Sequence, residues 1–170
     1  MRVPMVLLLS ITALPAMATE PSPEITRPAG APQALGVVHT VRGIPEACVR
    51  LEGAFIGAAT TPYKLVAVKS HPDCRARARF VDFAQVQPSE AKGWKLNDVI
   101  RVQSQSCASL QAVVRVWRLP GDVAPPALDA QGRARIYLKD ASERAKAQGA
   151  PKLPLYAAQL RLEGNACPSG

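Results

Sequence analysis

The side chains that could catalyse or capture a ligand are two histidines, four cysteines and a row of arginines. His71 lies in Ser70-His71-Pro72-Asp73-Cys74, which holds the residue types of a hydrolase triad. Base, nucleophile and orienting acid must converge from different directions, which sequence neighbours do not generally achieve. With Pro72 and Asp73 as turn formers, the segment reads as a turn. His39 is expected on a strand, as a surface residue or a satisfied core residue. A metal site from both histidines and a carboxylate has no ligand spacing to support it. The acidic residues are scattered, whereas acid–base catalysis needs two carboxylates in one cleft with different environments. No G-x-S-x-G, Gly-rich phosphate loop or H-E-x-x-H occurs. The reading assigns no catalytic residue, no metal and no cofactor.

The arginines carry more. Arg75, Arg77 and Arg79 alternate with Ala76, Ala78 and Phe80. On one strand face they would stand about 6.6–7 Å apart. Arg101 and Arg115 would extend that face if their strands pair beside it, and Trp117 shares the side of Arg115. Guanidinium forks hold carboxylates and phosphates in pairs, and a flanking aromatic ring can stack on a planar group. The plainer reading is a solvated strand face whose like charges discourage edge pairing.

Cys48, Cys74, Cys107 and Cys167 form an even set without the close pairs of a zinc knuckle or a CxxC site. Behind a secretory leader, two structural disulfides are the natural reading. Three connectivities are possible. A hairpin of strands 47–56 and 63–70 sets Cys48 opposite roughly position 72, close to Cys74. Cys48–Cys74 is therefore favoured, and Cys107–Cys167 follows by elimination.

The elements that must position these groups begin after the N-terminus. Arg2, an apolar run over residues 3–14, Pro15 and Ala16-Met17-Ala18 follow the order of a secretory signal peptide. The run is too short for a membrane span, which needs about 20 residues. Residues 1–18 are read as the leader, and residues 19–35, with Pro21, Pro23, Pro28 and Pro32, as a Pro-rich flexible tether. Residues 36–170 are long enough for one domain with a real core. No later segment is apolar enough to span a bilayer in the mature form.

Apolar residues make up 48% of the chain and aromatic residues only 5%, so the core must rest on Val, Leu, Ile and Ala. The formal charge is +8, or +7 without Arg2. No Lys/Arg run concentrates it, so general solubility is favoured over an anionic partner as its explanation. Short β-favourable runs at 37–41, 47–56, 63–70, 75–83, 99–105, 110–119, 133–139 and 155–162 predict an all-β domain. About eight strands would form an antiparallel sandwich or a partly closed small barrel. At most one short helix is expected, capped by Asp140 or Ser142 and ended by Gly149, after a loop over 120–132.

The function these features suggest is an exported, non-enzymatic binding protein of the bacterial periplasm or cell exterior, of inhibitor or immunity type. Its basic strand face would dock an acidic protein or an anionic envelope polymer, with no nucleic acid expected. An envelope hydrolase whose site is not legible locally, or a structural envelope component, is the alternative. Oligomeric state is left open.

Overall fold

The computed structural model describes residues 20–120, 153–165 and 167. The expected leader, the loop over 120–132 beyond Pro120, the strand over 133–139 and the helix after Asp140 lie outside the described residues. The first sheet is built from β1 (His39–Ile44), β2 (Val49–Phe55) and β3 (Tyr63–Lys69), in the order β1-β2-β3. Successive side chains of a strand point to opposite faces. In β2 this sends Leu51 and Phe55 inward, each 1% exposed. It leaves Arg50 and Glu52 on the other face, where they form an ion pair. The β2–β3 ladder is regular from Val49↔Lys69 to Phe55↔Tyr63. Gly53 is required by a close approach: a Cβ there would lie 1.8 Å from the Tyr63 hydroxyl. The Tyr63 ring crosses it to meet Phe55 edge-on, with centroids 4.7 Å apart.

The second sheet has four strands in the order β4-β7-β6-β5. They are β4 (Arg79–Phe80), β5 (Lys95–Gln103), β6 (Leu110–Leu119) and β7 (Leu155–Gly164). β5–β6 and β6–β7 pair antiparallel, while the short β4 runs parallel to β7. Ala112, Val114 and Val116 of β6 face the first sheet and share one core with Ile44, Leu51, Phe55 and Tyr63. Each such aliphatic or aromatic side chain contributes on the order of 1.5–3 kcal/mol by leaving water. The fold is all-β, and among the described residues it forms two sheets and no closed barrel.

One expected strand is corrected. Residues 75–83 do not run as a continuous strand; only Arg79–Phe80 pair, with Leu155 and Tyr156. Cys74 is tied to Cys48, and the N–H groups of Arg77 and Ala78 both donate to the Glu46 carbonyl, at 2.7 and 2.9 Å. Two successive donors on one acceptor bend the backbone out of ladder geometry. The far end becomes a helix instead, α1 (Phe83–Val86), whose first turn is capped by the Asp82 carboxylate accepting from Ala84 N–H at 3.0 Å. The alternation of Arg75 to Phe80 thus reflects one buried contact, Ala78, rather than a sheet face.

The structure contains two disulfides, Cys48–Cys74 and Cys107–Cys167, each with Cα atoms 5.7 Å apart. Ser70 N–H donates to Cys48 C=O at 2.9 Å, so the hairpin sets Ser70 opposite Cys48. The His71–Asp73 turn then returns Cys74 to it. Two such bonds fit an oxidising, extracellular or periplasmic environment. Among the described residues, no helix is long and apolar enough to cross a membrane.

Candidate functional site

Residues 20–35 run as an extended strap along the β5 edge. The prolines favour that backbone, and polar contacts hold it in place. Glu24 N–H donates to Leu96 C=O and Ile25 N–H to Asn97 C=O, both at 2.9 Å. Farther on, Gln33 N–H donates to Gln103 C=O at 2.8 Å. Three ion pairs reinforce the strap: Glu20 with Arg115, Glu24 with Arg118 and Arg27 with Asp98.

The last pair belongs to a buried cluster. Asp98 is fully buried, with Arg27 Nε at 2.7 Å and Arg42 Nε at 3.0 Å from its Oδ2. Two bulges bring the group together. The β1–β2 register shifts between Thr40 and Arg42, placing Arg42 opposite Leu51 on the inward side. The β5–β6 register shifts between Leu96 and Asp98, placing Asp98 opposite the core residue Val116. A one-residue slip turns a side chain to the other face, and bulges are the usual means of such re-aiming. The cluster joins three elements, with Arg27 from the strap, Arg42 from β1 and Asp98 from β5. It locks the strap, β1 and β5 to one another.

Glu24 is held by a two-point fork, with Arg118 Nη2 donating to Oε1 at 2.6 Å and Nε to Oε2 at 3.1 Å. Asn97 Nδ2 adds a third bond at 2.9 Å. The Arg118 hydrogen bond holds the Glu24 carboxyl below its ordinary value of 4.5. Its contribution to strap docking is therefore complete above that value and is lost as pH falls through the depressed one. Amide exchange at Ile25 is expected to accelerate in that acid window. Glu24→Gln should remove the pH step; an unchanged step in that variant would assign it to another carboxylate.

On the outer face of the second sheet, away from the core, the ladder sets Arg101 and Arg161 on either side of Val113. Arg115 sits one register on, between Val99 and Gln159. Two strand spacings separate Arg101 from Arg161, about 10 Å. Arg115, Trp117, Gln159, Arg161 and Glu20 line a shallow pocket of about 240 Å³. Within it, Arg115 Nε lies 2.5 Å from the Glu20 carboxylate. The structure thus brings Arg101, Arg115 and Trp117 to one face, adds Arg161, and makes Arg115 a buried member, only 8% exposed.

Arg75 and Arg77 are exposed on the segment after Cys74 and belong to no strand. Arg79 pairs with Leu155 at the opposite edge of the sheet, four residues along β7 from Gln159. That is about 13 Å along the strand, so the row of three does not continue the Arg101–Arg115 face.

A larger cleft, about 510 Å³, opens beside β5 between the strap residues Arg27 to Ala31, β1 and β5 itself, with Arg101 and His39 on its walls. His39 Nδ1 is 3.3 Å from the Val37 carbonyl, which only accepts, so Nε2 accepts from the Tyr63 hydroxyl at 2.8 Å. Burial pushes the Tyr63 phenol well up, so it stays protonated. His71 lies in the exposed turn, where its Nδ1 accepts from Asp73 N–H at 3.2 Å. The residues of the Ser70–Cys74 segment build that turn rather than converge on a cleft.

Sequence reasoning missed Arg27, Arg42, Asp98, Glu20 and Arg161. No local motif in the sequence marks these residues. A scan against protein-family models and searches of curated proteins and of solved structures return no match, so the functional reading rests on this geometry alone.

Proposed function

We propose that this chain is an exported, non-enzymatic binding protein of the periplasm or cell exterior that captures a carboxylate-bearing partner on the outer β5–β6–β7 face. The observation that supports this reading is a carboxylate already seated there: Glu20 at Arg115, in a pocket completed by Trp117, Gln159 and Arg161. An internal acid in such a pocket stands where a partner's Asp or Glu side chain would bind. The leader-like N-terminus and the two disulfides agree with export. An inhibitor or immunity-type role fits a basic face directed at an acidic protein.

Arg101 and Arg161 are exposed, so reversing them leaves the core untouched. Arg101→Glu with Arg161→Glu should weaken binding to immobilised polyglutamate, and to the acidic partner in native envelope extracts, by about tenfold or more, because charge-assisted contacts are worth about 1.5–3 kcal/mol. Glu20→Ala should strengthen it by vacating the pocket. Binding that ignores all three changes would remove the face from consideration.

A further inference from the structure

The strap does not follow β5 closely along its whole length. It bridges at Ile25↔Asp98 and at Gln33↔Ser104, taking eight steps where β5 takes six. Pro28, which has no N–H, and Gly30 lie within the excess, and the strap arches away to leave the 510 Å³ cleft. Asn97 C=O, Gln103 C=O and Gln105 N–H all bond the strap, whereas Ser104 N–H donates to Leu110 of β6. Beyond the bulge between Leu96 and Asp98, odd-numbered residues of β5 therefore turn their backbone toward the strap. By that alternation the Val99 carbonyl and both backbone groups of Arg101 face the cleft, and the Gln103 N–H points to the same edge beyond it. None of these four groups bonds the strap.

A strand edge with open donors and acceptors is a template for another extended chain, and main-chain bonds of that kind carry peptide recognition by strand addition. The cleft has the volume of a ligand site. Its lining residues include Arg27 and Arg101 and no Asp or Glu, so its charge complements an acid.

We propose that the β5 edge from Val99 to Gln103 binds a short, extended, carboxylate-bearing peptide segment, added as a strand beneath the strap. This rests on the binding reading above and names the partner's form: an extended acidic segment of a protein. Backbone bonds to Arg101 fix its direction and register, and the exposed Arg101 side chain selects its charge.

The probe is the capped pentapeptide Ac-Ala-Glu-Ala-Glu-Ala-NH₂, titrated into the full-length chain by NMR and calorimetry. It should shift the Arg101 and Gln103 amide resonances. The same peptide N-methylated on every backbone nitrogen should bind at least about tenfold more weakly, since it cannot donate to β5. Equal affinity of the two peptides would overturn strand addition while leaving carboxylate capture on the outer face standing. A sulfated disaccharide that shifts the same amides as tightly as the peptide would overturn the peptide assignment. Failure of both peptides to bind, with polyglutamate still captured through Arg161, would likewise confine recognition to the outer face.

Discussion

Asp98→Ala is expected to destabilise the fold by about 3–5 kcal/mol, because it leaves two guanidinium groups, one of them largely buried, without their shared counter-charge. Arg42 has 20% of its side chain exposed and Arg27 40%, while Asp98 is fully buried. The loss should fall mostly on Arg42, which cannot swing into water without opening the β1 bulge. Replacing the whole cluster, Asp98→Leu with Arg42→Met and Arg27→Met, should recover most of the loss, since an apolar substitute of similar volume avoids the desolvation of all three charges. Urea midpoints of the three proteins decide the matter. A single-variant loss below about 1 kcal/mol would mean that water already screens the cluster. The strap should loosen together with β1 and β5, because Arg27 of the strap and Arg42 of β1 reach the same oxygen of Asp98 in β5.

The second large effect is expected from the C-terminal disulfide. Cys107–Cys167 closes a separation of 60 residues and Cys48–Cys74 one of 26. Loop-closure entropy assigns them about 4 and about 3.5 kcal/mol of restriction on the unfolded chain. A domain of this size has about 5–15 kcal/mol in total, so Cys107→Ser with Cys167→Ser should leave it marginal, and loss of both bonds should unfold it at body temperature. The longer bond also anchors the end of β7. Gly164 pairs with Leu110 at φ 87°, and a Cβ there would lie 1.6 Å from the Ser109 carbonyl oxygen, so the chain at that end depends on a tight glycine turn. Thermal unfolding of oxidised and reduced protein measures the effect. Mass spectrometry of oxidised, denatured protein should find no alkylated cysteine; four alkylated positions would reject both bonds.

The strands that paired were legible where alternation, length and turn residues agreed. β2 and β3 follow from apolar positions at every second residue on either side of a Gly- and Pro-containing turn, and β6 from its two apolar sides. Alternation misled at Arg75–Phe83, where a partner strand meets only Arg79 and Phe80 and a nearby disulfide and a shared acceptor at Glu46 bend the chain before them. A pattern of period two shows which faces a strand would have, not whether another strand is there to receive its hydrogen bonds.

Local composition by itself determined the β character, the sparse aromatic core, the even cysteine set and the extended backbone of the Pro-rich segment. These depend on residue type and on neighbours a few positions away. Tertiary structure alone decided that this segment docks as a strap, that Arg27, Arg42 and Asp98 meet, and that Arg161 joins Arg101 and Arg115. Arg27 and Asp98 lie 71 positions apart, and bulges in β1 and β5 place Arg42 and Asp98. A bulge inverts which side chains face inward without leaving a mark on residue order. Burial of a charge depends on every strand packed around it, and so becomes visible only when all of them are in place.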